Sequence, residues 1–211
     1  MSKGQHSPAS PWKPFAARRR EREIKRSAVL QVAVNLFLEQ GYDRTSLNEV
    51  AERLHITKPA LYNYFDSKQA ILLECYRLGQ ESIMAGIEKI MAQPGDGLTR
   101  LRALIRHYCM MMTQDFGQCL IRIDDRVLSD AARNRVRAEK RRIDRRFREF
   151  LETGIRDGSI KPCSVRFTAF SIAGSINWTG YWYRPNGEMS AQEIADAYAS
   201  LLTDGLAADR S

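Results

Sequence analysis

The sequence predicts an all-α protein of about nine helices: an N-terminal helix-turn-helix domain joined to a larger C-terminal helical domain. Three observations lead there. Apolar residues recur at three- and four-residue intervals along most of the chain. No segment alternates with period two. Clusters of Gly, Pro, Ser and Asp cut the periodic stretches into helix-length pieces. At 211 residues, 44% hydrophobic and 27% charged, the chain is long and apolar enough to bury a core.

Residues Met1–Phe15 carry Pro8, Pro11 and Pro14 among Ser, Gly and Lys and read as a mobile arm. From about Ala16 the chain becomes helical. Val29, Val32, Ala33, Leu36 and Phe37 make one stripe of a helix that ends near Gln40-Gly41. Leu47, Val50, Ala51 and Leu54 form a short second helix, with Thr45 or Ser46 placed to cap it. A third opens at Thr57, accommodates Pro59 in its first turn and turns Leu61 and Phe65 inward. Ser67 caps a fourth, which runs through Ile71, Leu72, Cys75 and Leu78 toward Ile90.

Gln93-Pro94-Gly95-Asp96-Gly97 breaks the chain. Helices follow over Leu98–Phe116, around Gln118–Leu128, and from about Ser129 to Arg156, the last closed by Gly158-Ser159 and Pro162. Phe167–Tyr183 is apolar almost all round and is expected to be buried on two faces. After a Pro185-Asn186-Gly187 turn, Ser190 caps a last helix near the capping-box position of Gln192 and Glu193.

The formal charge of +8 is uneven: Met1–Arg26 carries +6 and Arg133–Arg148 carries +7, so the remainder is mildly acidic. Two basic stretches on an acidic body point to polyanionic partners at defined places. No apolar run approaches a membrane span, and the N-terminus has no signal-peptide core. Cys75, Cys109, Cys119 and Cys163 form no CxxC pair, and with His6, His55 and His107 they make no zinc pattern. The expectation is a cytoplasmic protein with free, mostly buried thiols, no metal and no cofactor.

The informative stretch is Arg44–Lys68, RTSLNEVAERLHITKPALYNYFDSK. A short amphipathic helix, a tight turn and a second short helix make a helix-turn-helix. Ala51 permits a close crossing, and Ile56 and Leu61 are expected to plug the shared core. With Leu61 and Phe65 inward, the second helix presents Lys58, Pro59, Tyr62 and Asn63 outward. A cation, an amide able to pair with adenine edges and a phenol suit a DNA groove. Thr45, Thr57 and Lys68 stand at helix N-termini, where backbone N–H groups favour phosphate. Taken as core aromatics, Tyr62 and Tyr64 would need an inner face that Leu61 and Phe65 already fill. Arg18-Arg19-Arg20 with Arg22, Lys25 and Arg26 reads either as a solvating tail or as an arm that tracks phosphate or enters a minor groove.

GYDRTSLNEVAERLHITKPALYNYFDSKQAIL resembles the N-terminal domain of TetR/AcrR-family transcriptional regulators, over about Glu23–Tyr76. The resemblance implies a homodimer whose paired reading helices enter successive major grooves of palindromic double-stranded operator DNA. It marks Arg44, Thr45, Ser46, Thr57, Lys58, Pro59, Ala60, Tyr62, Asn63, Tyr64 and Lys68 as DNA-binding. One departure is His55, where glycine is usual; histidine can adopt the left-handed conformation at modest cost. The division that follows is an arm over 1–17, a DNA-binding domain over 18–66 and a ligand-binding and dimerisation domain over 67–211.

In the second domain, INWTGYWYRPNGEMSAQEIADAYASLLTDGL is similar to the branch of that family that answers to acyl-CoA thioesters. The implied effector is a small hydrophobic molecule, an acyl-CoA thioester of lipid, aromatic or steroid catabolism, whose binding releases the repressor from DNA. Tyr108, Met111, Met112, Phe116, Cys119, Phe170 and Trp178 are the pocket candidates, with simple core packing as the alternative for each. Arg133, Arg137, Lys140, Arg141, Arg145 and Arg148 crowd one side of a helix. They are either a solvated face or, at Arg141 and Arg145, cations for coenzyme phosphates. Phe167, Ile172, Ile176, Tyr183, Ile194, Tyr198, Leu201 and Leu202 are expected to build a four-helix dimer interface.

No GxSxG elbow, phosphate-binding glycine loop, HExxH or Cys–His arrangement supports an enzyme. A drug-sensing repressor of an efflux gene and an effector-independent DNA-binding protein are the competing readings.

Overall fold

The computed structural model describes residues 15–208, so the first fourteen residues of the expected arm lie outside it. Among the described residues there are nine α-helices and one 3₁₀ turn. They are α1 (Phe15–Gln40), α2 (Leu47–Arg53), α3 (Lys58–Tyr62), α4 (Lys68–Met91) and α5 (Gly97–Thr113), followed by α6 (Asp115–Arg122), the 3₁₀ turn Asp125–Val127, α7 (Asp130–Asp157), α8 (Val165–Trp182) and α9 (Ala191–Asp204). No described helix is long and apolar enough to cross a membrane.

The first half of α1 is polar and solvated, held by i,i+4 pairs between Arg19 and Glu23 (3.1 Å) and between Lys25 and Glu21 (2.8 Å). The basic residues 18–26 are therefore helical, in line with the helix start expected near Ala16, and do not form a separate arm before it. The second half buries Val29, Leu30, Ala33, Val34, Leu36 and Phe37. Ser46, not Thr45, caps α2 through a reciprocal box with Glu49 (3.2 and 2.6 Å). His55 takes the left-handed turn at φ +53°, and the Ile56 N–H closes it on the Ala51 carbonyl at 3.0 Å. Leu61 and Ala51 pack inside, but Ile56 is 36% exposed, so Leu61 alone of the two plugs the core.

The head shares its core with α4, α6 and α7: Ile71, Leu72, Cys75, Cys119, Leu128 and Val136 pack in the same cluster as Val34 and Phe65. A second core surrounds α5, which packs against α4, α7, α8 and α9. Phe147, Leu101, Leu104 and Leu151 are fully buried there, each stabilising by roughly 1.5–3 kcal/mol. α5 and α7 cross at two glycines, since a Cβ on Gly97 would lie 2.1 Å from the Gly154 nitrogen. Ser190 and Glu193 form a second capping box at α9. The one pairing of extended backbone among the described residues is the isolated bridge between Ile160 and Ala207.

Of the two faces that α8 is expected to bury, the protomer itself covers one. Ala169, Ile172 and Ile176 face the protomer core, while Phe167 (72%), Trp178 (62%) and Phe170 (50%) are exposed on the opposite face. Ile172, Ile176, Tyr183 and Ile194 are thus core residues of this chain and cannot meet a second copy. Tyr198 and Leu202 pack partly against the same core, and Leu201 is exposed. Helical phase sorts these residues into two sides, Phe167, Phe170, Trp178, Tyr181 and Trp182 on one and Ala169, Ile172, Ile176 and Tyr183 on the other, but because both are apolar it does not say which side the protomer covers.

Candidate DNA interface and effector cavity

The N-termini of α2, α3 and α4 converge on a shallow cleft that brings Arg44, Ser46, Lys58, Tyr62 and Lys68 together. The capping serines and threonine create this convergence. Ser46, Thr57 and Ser67 each accept a backbone N–H from the third residue beyond, turning the free ends of three helices toward one place. Lys58, Pro59, Tyr62 and Asn63 are exposed, and the Lys58 ammonium stands 6.0 Å from the Tyr62 ring centre. Ala60 and Tyr64 are half-buried. Arg44 is exposed and steadied by its Nε, which donates to the Gln40 carbonyl at 2.7 Å.

Two candidates are differently placed from expectation. Thr45 borders the cleft but is buried, and its hydroxyl is committed to the Gly41 carbonyl, to which it donates at 2.9 Å. Lys68 donates to the carbonyls of Tyr42 (2.8 Å) and Asp43 (3.2 Å), so it holds the loop before α2. The cleft also includes Asn48 and Gln69, which sequence reasoning missed. Asn48, exposed in the first turn of α2, was legible from helical phase; Gln69 joins the cleft only through the packing of α4.

A cavity of about 530 Å³ lies between α4, α5, α6 and α7. Leu73, Ile83, Met112, Leu120, Val136 and Ile143 give it apolar walls, and Tyr76 and Tyr108 add phenols. The Tyr108 hydroxyl donates to Asn177 at 2.8 Å, and burial pushes its pKa up to about 12. Glu74, Arg77, Arg135, Glu139 and Lys140 supply the charged part of the lining. Glu74 and Glu139 are paired with Arg77 (2.9 Å) and Arg142 (3.1 Å), whereas Arg135 and Lys140 have no ion pair among the described residues. Burial pulls the Lys140 pKa down, and its ammonium lies 5.4 Å from the Tyr76 ring centre.

Of the expected pocket residues, Tyr108 and Met112 line this cavity. Met111 is buried against the Ser82 hydroxyl, and Cys119 and Phe116 belong to the head-side core. Trp178 and Phe170 lie on the outer face of α8. Phe170 instead lines a second concavity, of about 490 Å³, with Lys140, Arg141, Asp144, Arg145 and Arg148. Lys140 belongs to both spaces. Of the six basic residues that crowd one side of α7, Arg133, Arg137 and Arg148 are paired with Asp130, Asp125 and Asp144, whereas Lys140, Arg141 and Arg145 make no ion pair among the described residues.

The chain is similar to known proteins over most of its length. Residues 29–75 match the family described as bacterial regulatory proteins, tetR family, and residues 94–206 match the tetracyclin repressor-like C-terminal domain. The HTH-type transcriptional repressor KstR2 of Rhodococcus jostii (strain RHA1) is 27% identical over 188 residues, covering 87% of this chain and 91% of that protein. The TetR family regulator PfmR of Thermus thermophilus is 30% identical, with a TM-score of 0.77 over 84% of this chain and 98% of its own. AibR, solved in complex with isovaleryl coenzyme A and operator DNA, shares the fold at 24% identity and a TM-score of 0.73, covering 83% and 96%. With its reading head and more than half its length matched, the chain belongs to the tetR family of bacterial regulatory proteins.

Proposed function

We propose that this regulator is a homodimeric repressor that reads a palindromic operator with Lys58, Tyr62 and Asn63 and is released by an anionic, partly apolar effector. The observation that carries the effector reading is the pairing of an apolar cavity with cations that make no ion pair among the described residues: Arg135 and Lys140 in its wall, Arg141 and Arg145 beside it. An acyl-CoA thioester fits both parts. Its acyl chain suits the apolar walls, and its phosphates suit the concavity reached past Lys140. AibR was captured with such a thioester, and the R. jostii relative is named a repressor. A cationic drug fits less well, because the cavity's carboxylates are already paired.

A second copy supplies the dimer. The outer face of α8 offers Phe167, Trp178, Tyr181 and Trp182 around Gly174, where a Cβ would meet nothing within 4 Å. An exposed aromatic patch with an open centre suits close packing of two such helices about a two-fold axis. Their reading helices would then enter grooves about 34–36 Å apart.

In vitro selection from a randomised duplex pool tests the DNA reading: two inverted half-sites are expected, and failure to enrich any duplex at low salt rejects it. A melting-temperature screen of acyl-CoA thioesters against hydrophobic cations tests the effector, since bound ligand raises the midpoint. Stabilisation by cations alone rejects the anionic reading. An effector that saturates the protein without lowering operator affinity rejects release, because coupling of about 1–3 kcal/mol is required in both directions.

A further inference from the structure

α3 has five residues and buries one side chain, Leu61. A helix this short has little stability of its own, so its position depends on what holds its ends. Thr57 holds the start. The end is held by α1: Arg26 donates through Nη1 to the Tyr64 carbonyl at 3.1 Å, and its guanidinium lies 4.2 Å from the Phe65 ring centre. Arg22 adds a longer bond to the Asn63 carbonyl at 3.4 Å.

Arg26 is itself aimed from elsewhere. Its Nη2 pairs with Glu74 Oε1 at 3.1 Å, and Glu74, whose side chain is 14% exposed, lines the cavity between α4, α5, α6 and α7. Arg77 grips the same carboxylate with two bonds of 2.9 Å and reaches on to Glu81. The planar fork of an arginine can serve the Tyr64 carbonyl and the Glu74 carboxylate together; a lysine ammonium is a single point.

We propose that Glu74 is a positioning residue for DNA recognition: from the wall of the cavity it orients Arg26, and Arg26 fixes the C-terminal end of the reading helix. A ligand that displaces the Glu74 carboxylate thereby loosens α3 without touching it. This rests on the reading of α3 as the DNA-contacting helix, but the tie itself is measurable without DNA.

Backbone amide exchange of the free full-length protein, followed by NMR, tests it. Glu74→Gln and Arg26→Lys are each expected to speed exchange at Leu61, Tyr64 and Phe65 about tenfold. The double variant should be no faster than the faster single one, because both remove one tie. Glu81→Gln, which touches Arg77 but not Arg26, should leave these amides unchanged. Amides of α5 and α9 should keep wild-type rates in every variant. Wild-type exchange at residues 61–65 in Glu74→Gln, multiplied effects in the double variant, or equal acceleration in α5 and α9 would each overturn the proposal. Should Glu74→Gln fail to fold, Glu74→Asp, whose shorter side chain falls short of Arg26, takes its place. Failure to select an operator would reject the DNA reading and leave this exchange result standing.

Discussion

Lys68 hangs from the carbonyl of Tyr42: its ammonium donates to that oxygen at 2.8 Å and lies 4.7 Å from the ring centre of the same residue. One side chain at the start of α4 thus ties down the loop that leads into α2. Lys68→Met keeps the aliphatic stem and removes both bonds. The expected result is a loss of roughly 1–2 kcal/mol in urea unfolding. If Lys68 served phosphate alone, stability would not change.

Lys58 is the opposite case, exposed and without an ion pair among the described residues. Lys58→Ala should leave the unfolding midpoint in place. Operator binding should weaken across all duplexes, and the slope of log affinity against log salt should fall by about one. A slope equal to wild type would remove Lys58 from the phosphate contacts.

His55 holds φ +53°, a conformation that favours glycine. His55→Gly relieves that strain and gives back part of the gain as unfolded-chain entropy. A net stabilisation of about 0.5–1 kcal/mol is expected, read as a raised thermal midpoint. A lowered midpoint would mean that the imidazole contributes more than the strain costs.

Acid should weaken the Arg26–Glu74–Arg77 cluster. The Arg77 hydrogen bonds, and then Arg26, hold the Glu74 carboxyl below its ordinary 4.5, against the opposing pull of burial. A depressed folded pKa stabilises the protein above the unfolded value, and that contribution fades as pH falls through the folded one. The midpoint difference between wild type and Glu74→Gln should be full at neutral pH and shrink below about pH 4.5. A difference that grows on acidification would contradict the assignment.

Trp178 and Leu201 are exposed apolar residues on the outer faces of α8 and α9. Trp178→Glu should convert a dimer to monomers in sedimentation at micromolar concentration, while the helical circular dichroism is retained. Dimers that persist unchanged would place the interface on another face.

The sequence by itself determined the helices, most of their caps and the reading head, though it left Thr45 and Ser46 as equal candidates to cap α2. These depend on neighbours within four residues: Ser46 with Glu49, Ser190 with Glu193, and Leu61 with Phe65. The left-handed His55 was legible only through the family resemblance, in which glycine is usual at that position. Tertiary structure alone decided which side of α8 is inside, because both of its sides are apolar. It also decided that Thr45 turns inward, that Lys68 and Arg26 hold carbonyls 26 and 38 residues away, and that Glu74 borders a cavity. A polar side chain shows its type in the sequence, but its partner is chosen by the packing of helices remote along the chain.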